Sequence, residues 1–177
     1  KRVVADMAAS SLKPKKYAQL LFRMVQYYKP ETIIELGTSF GITTAYLASA
    51  NAVSKVFTFE GSGAIASIAK QNFSTLQLHN VQLAEGDFDK TLSSLLSNLK
   101  TVNFAFADGN HRKEPTLDYF NQLLEKATST TILVFDDIHW SAEMEEAWEA
   151  IKLHPAVTLT IDLFFIGIVF INPDFKI

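Results

Sequence analysis

The chain contains no cysteine. That excludes a disulfide framework, a thiolate metal site and a cysteine nucleophile, and it fits a cytoplasmic setting. Positive charge is scarce as well: the net charge is -3 and no basic run is longer than Lys15-Lys16, so the electrostatic footprint of a nucleic-acid binder is missing. No apolar run reaches the roughly 20 residues that span a bilayer. The longest, Leu163 to Ile171, is broken by Gly167 and is strand-like in its Phe, Ile and Val content. Neither a membrane nor nucleic acid is therefore an expected partner. The opening segment carries no signal-peptide pattern, and a start at Lys1 without methionine leads us to expect a natural N-terminus upstream.

Glycine and proline are few, 7 and 5, and sit where elements change rather than in a linker or low-complexity tract. With 48% hydrophobic residues over 177 positions, the chain can fill one core, and we expect one domain over residues 1–177. Its first 30 residues form a helical segment within it. That helix, Pro14 to Tyr28, has apolar residues Tyr17, Leu20, Leu21, Met24, Val25 and Tyr28 at helical spacing and is stopped by Lys29-Pro30.

Strands and helices then alternate. Strand Thr32 to Leu36 leads to helix Ile42 to Ala50, strand Lys55 to Phe59 to helix Ala64 to Phe73, and strand Val81 to Ala84 to helix Lys90 to Leu99. Strand Val102 to Ala107 precedes helix Glu114 to Ala127, and strand Thr131 to Phe135 precedes helix Ala142 to Leu153. The chain closes with strands Val157 to Asp162 and Phe165 to Ile171, too close together for a crossover helix and so an antiparallel hairpin. The fold class is α/β, a mostly parallel sheet with an antiparallel edge. Its ligand crevice belongs at the carboxyl ends of the first and fourth strands, where the strand order reverses.

Ile33 to Gly41 reads as a strand, a glycine turn and a helix start, the form of a nucleotide-cofactor loop. Gly37 permits the turn and Gly41 lets the next helix pack closely with its N-terminus toward a ligand. The pattern is E-x-G-x-x-x-G, and Ser39 stands where a dinucleotide fingerprint has its middle glycine, which favours a cofactor without a pyrophosphate.

Polar residues recur at the other strand ends. Glu60, beside Gly61, is placed to accept ribose hydroxyls or to serve the next helix N-terminus. Asp87 and Phe88 offer an acceptor and an aromatic face to an adenine, Asp87 being equally suited to an N-cap. After the fourth and fifth strands come Asp108-Gly109-Asn110-His111 and Asp136-Asp137-Ile138-His139-Trp140. If those strands are neighbours, Asp108 converges with Asp136 or Asp137, and such oxygen donors suit magnesium, manganese or calcium; the alternative is a helix cap and backbone-amide contacts. His111 or His139 is then the candidate base at the crevice mouth. His79 and His154 read as structural, Trp148 as core, and Trp140 as a possible substrate cover.

From Pro14 to Ile171 the chain resembles the class I S-adenosylmethionine-dependent methyltransferases. Glu35 to Gly41, Glu60, Glu85 to Phe88 and the terminal hairpin carry the likeness. The acidic ends after strands four and five resemble the catechol-type and bacterial small-molecule O-methyltransferases. The resemblance implies a Rossmann-like seven-stranded sheet of order 3-2-1-4-5-7-6 with its last strand antiparallel and helices on both faces. It implies S-adenosylmethionine as cofactor, with Gly37, Thr38, Ser39 and Gly41 at the methionine end, Glu35 near its amine, Glu60 and Gly61 at the ribose, Asp87 and Phe88 at the adenine, and Asp108 beside the donor. It further implies a divalent metal on Asp108, Asp136 and Asp137, catalysis by His111, His139 and Asp108, a small hydroxylated substrate, a substrate lid from the segment Ala5 to Tyr28, and a homodimer as assembly. Two positions depart from the catechol type: His111 stands for its lysine, and Asp136-Asp137 for its Asp-Asn. A non-catalytic S-adenosylmethionine-binding module and an NAD-dependent oxidoreductase are the competing classes. The oxidoreductase would want glycine at position 39 and no closing hairpin.

Overall fold

Strands buried on both faces need helices on both sides, and the burial of four successive residues, Ile33 to Leu36, in the strand Thr32–Leu36 calls for that arrangement. The computed structural model describes residues 14–175. In chain order the elements are α1 (Lys15–Tyr28), β1 (Thr32–Leu36), α2 (Ile42–Ala50), β2 (Lys55–Glu60), α3 (Gly63–Thr75), β3 (Val81–Glu85) and α4 (Phe88–Asn98). They continue with β4 (Val102–Ala107), α5 (Lys113–Leu124), β5 (Ala127–Asp136), α6 (Ala142–Lys152), β6 (Leu159–Asp162), β7 (Ile166–Phe170) and a 3-10 turn at Pro173–Phe175. One seven-stranded sheet results, ordered β3-β2-β1-β4-β5-β7-β6, parallel except where β7 runs antiparallel to both β5 and β6. This is the Rossmann-like order expected above.

The pleat divides the core. Ile33, Phe104, Phe106, Ile132 and Val134 turn to the face covered by α1 and α2, where Tyr17, Leu21, Met24, Val25, Leu47 and Ala48 complete the cluster. Ile34, Leu36, Phe57, Phe59, Leu133 and Phe135 turn to the other face, against residues of α4, α5 and α6, including Leu92, Tyr119, Phe120 and Trp148. Trp148 is the core residue its helical spacing predicted. Lys29 ends α1 in the left-handed region, φ 47°, its N–H donating to the Val25 carbonyl, and Pro30 cannot continue the helix.

The structure differs from the expected boundaries at α5 and β5. The helix stops at Leu124, and the strand begins at Ala127 instead of Thr131. Val102 donates its N–H to the Lys126 carbonyl, and the Thr131 hydroxyl donates to the Val102 carbonyl at 2.6 Å, so the ladder claims this threonine-rich stretch and shifts register between Val102 and Phe104. β-Branched residues favour that outcome. The expected lid residues before Pro14 lie outside the described part of the chain. Among the described residues no helix is long and apolar enough to cross a membrane.

Candidate active site

From β1 the chain runs outward to β2 and β3 and returns to β4 on the other side, which opens a crevice at the carboxyl ends of β1 and β4. Gly37 must turn there. Its φ is +102°, and a Cβ on it would lie 2.0 Å from the Asp108 carbonyl oxygen, so only glycine lets the β1 turn lie against the end of β4. Gly41, φ +79°, has no room either: its Cβ would meet the Phe73 ring at 2.4 Å. It seats α2 against α3. The Gly37 and Thr38 N–H groups donate to the Phe59 carbonyl, fastening the loop to β2.

The cleft has a cavity volume of about 540 Å³. On the side of the glycine turn it is lined by Gly37, Ser39, Glu60 and Phe88. The Glu60 carboxylate is fixed by two backbone donors, Ser39 N–H to Oε2 and Ser62 N–H to Oε1, each at 2.9 Å. Phe88 rests on bare backbone, since a Cβ on Gly109 would strike its ring at 2.6 Å.

Three of the residues expected to bind cofactor lie beneath this wall. Glu35 is fully buried, its Oε2 accepting from the Thr44 hydroxyl at 2.5 Å and the Thr58 hydroxyl at 2.7 Å. Thr38, also buried, turns its side chain inward, with its hydroxyl 2.6 Å from that of Thr58. Gly41 packs on α3, as described. Burial pushes the Glu35 carboxyl up to about 8, against the Thr44 and Thr58 hydrogen bonds and with a further upward contribution from the Asp108 charge. Glu35 is thus a neutral acid at neutral pH, and its buried Oε1 has no hydrogen-bond partner. Gly61 and Asp87 are exposed at the ends of β2 and β3, outside the residues that line the cleft.

The opposite end holds Asp108, Gly109, Asn110, His111 and Asp137, rimmed by Pro14, Tyr17, Trp140 and Phe165. His111 Nε2 is 3.5 Å from Asp108 Oδ1 and 3.8 Å from Asp137 Oδ2. Asp136 turns into the interior from the last position of β5 and is 1% exposed. Asp108, His111 and Asp136 each present a donor atom within 4.8 Å of the others, so the converging set contains His111 in the place expected for Asp137. Asn110 and Asp137 hold left-handed conformations, φ 65° and 52°, a geometry both residue types tolerate.

His139 is placed elsewhere. It is not among the lining residues; its Nε2 lies 2.9 Å from Asp162 Oδ2, its Nδ1 lies 3.2 Å from Glu145 Oε1, and its ring stacks on Phe164. The Asp162 hydrogen bond raises its pKa against the effect of burial, and Glu145 adds to the rise. With both nitrogens engaged, it has no free lone pair for a substrate proton. His154 pairs with Phe120 and accepts from the Ala156 N–H, a structural role.

Tyr17 and Phe165 were legible only as core or strand residues, yet they line the cleft. Tyr17 belongs to the apolar stripe of α1, and its ring meets Phe165 at 5.7 Å. Phe165 lies in the turn between β6 and β7, whose carbonyl accepts the Asp137 N–H at 2.6 Å. Trp140, 73% exposed, completes this rim.

A family model described as a methyltransferase domain matches residues 34–138. No curated protein matches the sequence. Among solved structures, the chain is similar to the O-methyltransferase of Bacillus cereus in complex with SAH, at 23% identity and a TM-score of 0.77, covering 94% of this chain and 85% of that one. It is similar to TomG of Streptomyces achromogenes, an O-methyltransferase of tomaymycin synthesis in complex with SAM, at 17% identity and a TM-score of 0.77, covering 90% and 81%. The SAH-bound methyltransferase PaMTH1 of Podospora anserina is 14% identical, with a TM-score of 0.79 and coverage of 91% and 80%. At these identities the likeness is one of fold.

Proposed function

This chain belongs to the methyltransferase family matched over residues 34–138, and from that premise we propose that it transfers a methyl group from S-adenosylmethionine to a hydroxyl oxygen of a small molecule. One observation carries the reading: a single cleft holds a fixed carboxylate and an aromatic ring at the glycine turn, and an Asp-His-Asp group with an aromatic rim at its other end.

The residues fit the cofactor. Glu60, held by Ser39 and Ser62, has lone pairs left for a ribose diol, and Phe88 offers a face to the adenine. The partnerless Oε1 of Glu35 is a buried polar atom that a water bridging to the cofactor amine would satisfy. In the transfer, the sulfonium carbon–sulfur bond breaks as the carbon–oxygen bond forms, leaving S-adenosylhomocysteine and a methyl ether. The acceptor proton leaves toward the Asp137 carboxylate, whose Oδ2 lies 3.8 Å from the His111 imidazole in the cleft. Tyr17, Trp140 and Phe165 hold an apolar acceptor body and exclude water, so alignment supplies most of the acceleration. Asp108 and Asp136, with Asp137 nearby, would hold a divalent cation, which when bound lowers the pKa of an acceptor hydroxyl.

The test is transfer of labelled methyl from S-adenosylmethionine to hydroxylated aromatic and aliphatic acceptors, with divalent ions and with EDTA. Methyl ether product is the expected result. Cofactor binding with no product across the series would make the chain a silent binding module.

A further inference from the structure

We infer that His111 is a metal ligand: with Asp108 and Asp136 it makes a mixed imidazole–carboxylate site for a first-row transition-metal ion, in place of the all-oxygen magnesium or calcium site that the aspartates alone suggest. The inference rests on the reading of the cleft given above and concerns the ion that the same site selects.

The positions of the donors support it. The three side chains come from two neighbouring strand ends, Asp108 and His111 after β4 and Asp136 at the end of β5, and their donor atoms lie within 4.8 Å of one another. His111 Nε2 and Asp108 Oδ1 are 3.5 Å apart, beyond the usual N–H···O range of about 2.7–3.2 Å. Two donors that each stand about 2.0–2.2 Å from one ion are themselves separated by about 2.9–3.5 Å when adjacent. The 3.5 Å spacing therefore suits a shared cation better than a direct bond. The loop that carries His111 is also fixed: the Asn110 side chain donates to the Tyr119 hydroxyl at 3.1 Å and accepts from Arg112 at 3.0 Å, which holds the turn preceding the imidazole. His111 is partly exposed toward the cleft, so an ion and an acceptor oxygen can both reach it.

Donor type sets the selectivity. Magnesium and calcium take oxygen donors, whereas an imidazole nitrogen beside carboxylates suits iron(II), cobalt(II), nickel(II) or zinc(II). Asp137, outside the converging set, faces the imidazole at 3.8 Å and is the neighbour of a ligand rather than a ligand.

Cobalt(II) is the probe, added to the full chain and followed by calorimetry and by proton NMR. We expect one cobalt(II) ion per chain and contact-shifted imidazole proton signals. His111→Ala, with His111→Asn as the second variant should alanine fail to fold, removes those signals and weakens cobalt(II) binding by about tenfold to a hundredfold, while weakening magnesium binding by less than about threefold. Asp137→Asn and His139→Ala leave the signals in place. Signals that persist without His111, equal losses of cobalt and magnesium affinity, or loss of the signals in Asp137→Asn would overturn the inference. Titration of the same proteins with S-adenosylhomocysteine separates the two readings. His111-dependent cobalt signals without cofactor binding defeat the proposed function alone, and cofactor binding without those signals defeats the metal assignment alone.

Discussion

The backbone carbonyl of Asp108 occupies the space that a side chain on Gly37 would need, 2.0 Å from the position of its Cβ. The turn that ends β1 and the residue that begins the acidic end of β4 are therefore packed directly against each other.

Gly37→Ala should disrupt that packing. A φ of +102° and the contact with Asp108 together give an expected loss of about 2–4 kcal/mol in stability. Chemical denaturation measures it. A loss below about 0.5 kcal/mol, with cofactor binding intact, would mean that the turn relaxes freely.

Glu35 gives a pH dependence with a definite sign. Its carboxyl is pushed from 4.5 to about 8 by burial, so the folded chain binds this proton more tightly than the unfolded chain does. The associated stability is fully present below about pH 4.5 and is lost as pH rises through about 8, a change on the order of 5 kcal/mol at most. Glu35→Gln keeps the neutral form and should flatten stability over this window relative to the parent. Parallel pH profiles for the two proteins would show that Glu35 ionises without cost in the fold.

Asp162 joins three elements: its carboxylate accepts from the Trp148 indole N–H and the Phe164 backbone N–H, and it binds the His139 ring at the end of the β5 loop. Asp162→Ala should cost about 1–3 kcal/mol by urea unfolding. His139→Ala should cost less, and the double variant should be non-additive by at least about 0.5 kcal/mol because the two residues share one contact. Additive losses would separate His139 from the brace.

The order of elements was legible because the central strands are largely apolar runs bounded by turn residues and helices such as α1 and α6 carry a stripe at helical spacing. The β5 boundary was not. Thr128 to Thr131 has no apolar alternation, and its strand character comes from pairing with Val102, more than twenty residues away in sequence. The site divides along the same line. Glu60, Phe88, Asp108 and Asp137 follow from their places at strand ends, which topology carries to one crevice. Nothing near His139 in sequence announces Asp162, and nothing in the α1 stripe distinguishes Tyr17, a cleft residue, from its core neighbours. Contacts between distant segments decide both.

Calorimetric titration with S-adenosylhomocysteine, on the parent chain and on Glu60→Ala, bears most directly on the central claim. We expect saturable binding of one ligand per chain, no comparable binding of NAD, and a loss of about tenfold or more in affinity without Glu60, since its carboxylate both meets the ligand and holds the Ser39 and Ser62 backbone. No saturable binding by the parent chain, or an unchanged affinity in Glu60→Ala, would contradict it.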